Sequence, residues 1–115
     1  MAYDEGLAQR IRDALRETAD IGEKKMFGGV CFTWGGHMLV GVVKDDLMAR
    51  IGEDAGPAAL SRKGARPMDF TGKPMKGYVF VDRTGIADDR DLEGWIALAK
   101  AFVGTLPAKP RAASR

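Results

Sequence analysis

Cys31 and His37 are the only cysteine and the only histidine in the chain, so the first chemistry to test is a thiol activated by an imidazole. The residues between them argue against it. Gly35-Gly36 sits between two β-rich runs, the signature of a two-residue hairpin turn that needs positive φ. Around that turn Trp34 falls opposite His37 and Phe32 opposite Leu39. His37 then shares a face with Val30, Phe32 and Trp34, while Cys31 and Thr33 point through the sheet. Cys31 therefore reads as a small packed hydrophobe and His37 as a polar residue at a strand end. Ser61 and Ser114 stand in no Gly-x-Ser-x-Gly elbow. Met26-Phe27-Gly28-Gly29-Val30 lacks the later Gly-Lys-Ser/Thr of a phosphate loop, and Gly72-Lys73-Pro74 puts proline where a hydroxyl is needed. Asp45-Asp46 and Asp88-Asp89-Arg90-Asp91 do not have the spacing of a calcium loop; turn formation and helix capping account for them, and no metal or cofactor is expected. One cluster keeps a chemical reading. Arg62, Lys63, Arg66, Lys73 and Lys76 face a single acid, Asp69, with Phe70 and Tyr78 nearby, a composition suited to weak phosphate contacts.

The elements that position these residues belong to one domain. The 115 residues leave no room for a second core, and 45% hydrophobic against 30% charged residues is ordinary for a folded chain. With one cysteine a disulfide framework is excluded. The longest apolar runs, such as residues 38–43, fall far short of a membrane span. The N-terminal residues carry neither a basic region nor an apolar core, so no signal peptide is expected and the expected location is the cytoplasm. There are 18 basic and 16 acidic side chains, but Lys109, Arg111 and Arg115 crowd the end of the chain. Without them the body carries 15 bases against 16 acids and is near neutral. The pI of 8.8 thus belongs largely to the tail, and no basic face for nucleic acid is implied.

Residues 4–18 predict an amphipathic helix, with Leu7, Ala8, Ile11, Ala14, Leu15 and Thr18 on one side, Asp4 as its cap and Tyr3 placed to staple onto Ala8. Period-two patterning then takes over. A short edge strand over 24–26, strands over 30–34 and 37–43 flanking the glycine turn, a turn at 44–46 and a third strand over 47–51 are expected. Residues 54–62 form a short helix candidate with Pro57 in its first turn. Residues 63–74 read as irregular, punctuated by Gly64, Pro67, Gly72 and Pro74, before strand character returns over 75–81. Leu92, Trp95, Ile96, Ala99, Phe102, Val103 and Leu106 define a final helix that opens on aspartates, which suit the positive end of its dipole, and stops at Pro107. The expected fold is α+β: an antiparallel sheet with the N- and C-terminal amphipathic helices packed on one face. The domain spans 1–106, and 107–115 is a basic tail expected to be disordered.

Four stretches within residues 24–106 resemble the N-terminal domain of the TfoX/Sxy family, named for regulators of bacterial competence. Lys25-Met26-Phe27-Gly28-Gly29 is similar to the family signature at the start of the sheet. Residues 36–50, from Gly36-His37-Met38 to Met48-Ala49-Arg50, resemble its central hairpin. Residues 66–78, Arg66-Pro67-Met68-Asp69-Phe70 onward to Tyr78, resemble the loop and strand of small stand-alone members. Asp91-Leu92 with Trp95 resembles the opening of the last helix. The resemblance implies an antiparallel α+β fold of the kind seen in secretion-chaperone-like domains, and it brings no catalytic residue. Met26, Phe27, Gly28 and Gly29 are expected to serve the structure. The competence regulators carry a second, C-terminal domain, and this chain is expected to act without one.

Function is therefore expected to be non-enzymatic: a regulatory or interaction domain, with a protein partner, acting with a transcriptional regulator. The alternative is a small-molecule-binding or enzymatic domain with a pocket between sheet and helices, lined by some of the six methionines, five phenylalanines and two tryptophans. The hairpin carries apolar residues on both faces, Val30, Phe32, Trp34 and Leu39 on one and Cys31, Met38, Val40 and Val42 on the other. Two helices cover only one face, so a homodimer through the sheet is expected. Sequence-specific DNA binding by the chain alone is not expected, because no helix carries a basic stripe and the last helix opens on acids.

Overall fold

In the computed structural model the backbone is described for residues 3–26, 28–70 and 73–106, and the side chains for these apart from 26, 68–70 and 73–76. The N-terminal helix, α1 (Glu5–Ala14), starts where Asp4 caps it, its carboxylate accepting from the Leu7 N–H at 3.1 Å. It ends earlier than the pattern to Thr18 predicts, and Leu15 stays buried in the turns that follow. Tyr3 bridges Lys44 in parallel and packs at the core margin, tying the chain's start to the sheet.

Six strands follow: β1 (Ile21–Met26), β2 (Gly29–Trp34), β3 (His37–Val43), β4 (Asp46–Arg50), β5 (Ala65–Phe70) and β6 (Lys73–Val81). They form one antiparallel sheet in the order β1-β2-β3-β4-β6-β5. The Gly35-Gly36 turn forms as expected, with both glycines at positive φ and Trp34 opposite His37. The short helix α2 (Gly56–Leu60) carries Pro57 in its first turn, as expected. A 3₁₀ turn, Arg83–Gly85, is capped by Asp82, and the long helix α3 (Asp89–Val103) closes the fold.

Two expectations about the sheet are corrected. Of residues 63–74, expected to be irregular, 65–70 form β5 and β6 already begins at Lys73. Pro67 lies opposite Val79 on the outermost strand, the one place where a missing N–H breaks no ladder. The second correction concerns faces. Phe32 pairs with Val40 and Thr33 with Met38, so Leu39 is an extra residue in β3. That bulge turns Leu39, Val40 and Val42 all toward the helices, whereas strict alternation had put Val40 and Val42 beside Cys31.

The core lies between the sheet and α1 and α3. Ile11, Phe32, Leu39, Val40, Val42, Leu47, Ala49, Val79, Val81, Leu92, Trp95 and Ala99 are all almost fully buried there. The opposite face has its own small cluster, Cys31, Met48 and Phe80, with Met38, Val43 and Tyr78 half-buried around it. No helix residue belongs to that cluster. The expected α+β architecture, with both amphipathic helices on one face of an antiparallel sheet, is the one observed.

Candidate functional site

Register places one residue from each strand in a row across the helix-free face: Lys24, Cys31, Gly41, Met48, Phe80 and Arg66. The centre of the row is apolar and both ends are cationic. Gly41 is required there, because a Cβ would meet the Met48 Cε and the Val30 carbonyl oxygen, each at 2.8 Å. Met48 thus lies flat across the glycine. The Arg66 guanidinium sits 5.0 Å above the Phe80 ring and pairs with Asp46, which fixes it over the sheet. Arg50 stands 5.7 Å from both Tyr78 and Phe102, bridging this face and α3. Arg66 thus covers the Phe80 ring on this face, where Cys31 is 2% exposed, Met48 1% and Phe80 8%.

Burial pushes the Cys31 thiol above its ordinary pKa, only partly offset by the positive charge of Lys24. Cys31 belongs to the helix-free cluster, whereas His37 lies opposite Trp34, which packs against the helix-side core. The two stand on opposite faces, as the hairpin spacing predicts. Among the described residues no group of three or more His, Cys, Asp or Glu is placed to hold a metal ion.

The basic cluster is divided by the sheet. Arg62 stacks 4.5 Å over Trp95 on the helix side, while Arg66 is held over Phe80 on the other. Lys63 precedes the turn at Gly64 and is exposed; the side chains of Lys73 and Lys76 lie outside the described residues, as does the tail 107–115. Of the signature, Phe27 and the Met26 side chain also lie outside them. Gly28 takes φ 73° in the turn between β1 and β2. A Cβ on Gly29 would overlap the Val42 carbonyl oxygen and stand 3.1 Å from its carbon and 3.3 Å from the Val43 Cα. The two glycines thus serve the first hairpin, one by its φ and the other by its close approach to β3.

Sequence reasoning missed the charges around the sheet's outer strand. Arg12 of α1 reaches Glu23 of β1 with two hydrogen bonds, at 2.7 and 3.0 Å. This fork holds the Glu23 carboxyl below its ordinary range through the hydrogen bond first, and raises Arg12 correspondingly. Lys24 and Lys25 are exposed and enter no ion pair among the described residues. The signal for the Arg12–Glu23 fork was absent because it joins two elements through side chains that local patterns treat as generic surface.

The layer between sheet and helices, where the alternative reading places a pocket, holds the buried core, and no buried side-chain N or O among the described residues lacks a partner. A groove of about 490 Å³ lies at the margin, where Ile51–Ala55 meets Leu98, Ala101 and Phe102 of α3. No helix among the described residues is long and apolar enough to cross a membrane.

Helices on one side of an antiparallel sheet, a thin cation-rimmed layer on the other and a charged outer strand define an α+β domain built around one broad sheet. Its sequence matches the TfoX N-terminal domain over residues 13–103, and the chain belongs to that family. The match takes in the end of α1, which the four resembling stretches do not reach. No curated protein and no solved structure matches the chain at a significant level.

Proposed function

We propose that this chain is a non-enzymatic interaction domain that acts in the cytoplasm with a transcriptional regulator, its partner meeting the helix-free side of the sheet. The observation that carries this reading is the half-exposed apolar group Met38, Val43 and Tyr78 on that face, around a buried centre and with the exposed cations Lys24 and Arg66 at the two ends of the row. Membership in a family that is in general non-catalytic supports it. The homodimer expected from the sequence belongs to this proposal in a weaker form. Met38, Val43 and Tyr78 offer only a small apolar area, and a second copy presents the same cationic ends rather than acids to meet them, so self-association occurs only at high concentration.

The test is cross-linking in native lysate with the full chain, beside a Met38→Glu/Tyr78→Glu variant checked for folding by circular dichroism. A transcriptional regulator cross-linked near Lys24 or Arg66 and lost in the variant supports the proposal. A folded bait that cross-links no regulator, or one that cross-links equally in the variant, contradicts it. A second reading, small-molecule binding, has the marginal groove at Phe102 as its specific ground. A thermal-shift screen with metabolites, repeated on Phe102→Ala, discriminates: a metabolite that raises Tm in the wild type alone favours the groove.

A further inference from the structure

We infer that the outer edge of β1 is a docking strand for an extended, acidic segment of a partner protein, an inference that rests on the interaction reading above. Among the described residues β1 ends the sheet, and β2 is its one strand neighbour. In an antiparallel pair alternate residues bond to the neighbour and the others face outward. The phase is set by Asp20, whose carbonyl accepts from the Gly35 N–H at 3.1 Å in continuation of the same register. Gly22, Lys24 and Met26 therefore bond to β2, and Ile21, Glu23 and Lys25 turn their N–H and C=O groups outward. No backbone partner meets those groups among the described residues. The other edge is different. β5 has Pro67, without an N–H, and a register shift between Pro67 and Asp69, both of which block regular strand addition.

The chemistry of the occupant follows from the side chains. Glu23 is neutralised by the Arg12 fork, which leaves Lys24 and Lys25 as the edge's uncompensated charges among the described residues. They alternate, Lys24 toward the helix-free face with Cys31 and Lys25 toward the helix side with Val30. A strand laid against β1 thus meets a cation on each of its faces at adjacent positions. Two adjacent carboxylates answer them, with an apolar residue opposite half-buried Ile21. An edge of alternating donors and acceptors asks for a peptide backbone, and its carbonyls repel phosphates, which disfavours nucleic acid. A second copy fits poorly. Antiparallel self-pairing that keeps the helices on one side must join residues of like parity, and the two registers that pair five of the six residues either set Lys24 against Lys24 or leave Lys24 opposite Gly22 and Lys25 opposite Ile21, so neither register meets both lysines with an acid.

The test uses the full chain and a short labelled peptide with two adjacent acids flanked by valine and isoleucine. Its controls are the same peptide with lysines for the acids and a single-stranded oligonucleotide. The acidic peptide is expected to bind saturably, to weaken by about tenfold or more in Lys24→Glu/Lys25→Glu, and to be lost in Lys25→Pro, which removes one outward N–H and leaves the β2 ladder intact. In the wild type the peptide should slow amide exchange at Ile21, Glu23 and Lys25 and not at Gly22 or Lys24. Circular dichroism establishes that each variant folds, and the charge reversal and the exchange pattern carry the test if Lys25→Pro does not. No saturable binding, equal binding of the lysine peptide or the oligonucleotide, or protection without the odd–even pattern overturns the inference. So does self-association that folded Lys25→Pro abolishes, which would assign the edge to a second copy. Failure here, with the regulator still lost from Met38→Glu/Tyr78→Glu, overturns the edge and leaves the interaction domain standing.

Discussion

Replacing Gly28 and Gly29 one at a time by alanine separates two demands that the family signature places on the first hairpin. Gly28 has φ 73° and, its chain neighbours aside, no atom of the described residues within 4 Å of where an added methyl would stand, so alanine there costs the left-handed backbone, roughly 1–2 kcal/mol. Part of that, roughly 0.4–1 kcal/mol, is offset because alanine restricts the unfolded chain. The net loss is about 1 kcal/mol. Gly29 has open backbone geometry but no space. Its methyl would overlap the Val42 carbonyl oxygen, and the atoms behind are the Val42 carbon and the Val43 Cα. All three are backbone, so no rotamer change relieves the clash and β2 and β3 must separate. Overpacking of this kind costs roughly 1–3 kcal/mol and here falls at the upper end, about 3 kcal/mol. For a chain of this length the two losses lower Tm by about 4 °C and about 12 °C. Urea unfolding followed by circular dichroism measures both, and Gly28→Asn, which tolerates the left-handed region, should recover most of the smaller loss. Gly29→Ala as stable as the wild type, or less harmful than Gly28→Ala, would refute the reasoning.

Trp95→Ala removes a ring that is 1% exposed and should cost about 3–5 kcal/mol in urea unfolding, whereas Arg62→Ala, which leaves that ring packed, should cost about 1 kcal/mol or less. The lowered folded-state pKa of Glu23 contributes stability that is fully present above the ordinary glutamate value and lost as pH falls through the lowered one. Because the pair is more than a third exposed, Glu23→Gln should remove well under about 1 kcal/mol at neutral pH and flatten that acid-side slope, as read from unfolding at several pH values. Cys31, buried and with a raised pKa, should resist a disulfide reagent in the native state and react at once in denaturant; rapid native labelling would show that the helix-free cluster opens readily.

Much of the architecture is legible in local pattern because local chemistry decides it. Asp4 caps α1, Gly35-Gly36 makes its turn, and the apolar spacing from Leu92 to Val103 forms α3. What escapes is decided by neighbours distant in sequence. Pro67 and Gly64 mark a loop by composition, yet on the outermost strand a proline is tolerated and β5 forms. Leu39 is bulged because β3 must turn three apolar side chains toward the helices, which strict alternation does not allow. The basic cluster looks continuous along the chain, but Arg62 and Arg66 diverge onto opposite sides of a strand pair not visible in the pattern. The Lys24–Arg66 row joins the two outermost strands, so only the sheet order assembles it.

Residue-resolved amide exchange on the free protein at low concentration tests most directly that one edge of this sheet stands open to a partner. The expected result is alternation along β1: slow exchange at Gly22 and Lys24, which donate to β2, and fast exchange at Glu23 and Lys25, with slow exchange throughout β3 and β4 between them and the far edge. Uniform protection along β1, or rapid exchange at Gly22 and Lys24, would contradict it, the first because the edge is already covered and the second because β1 does not belong to the sheet.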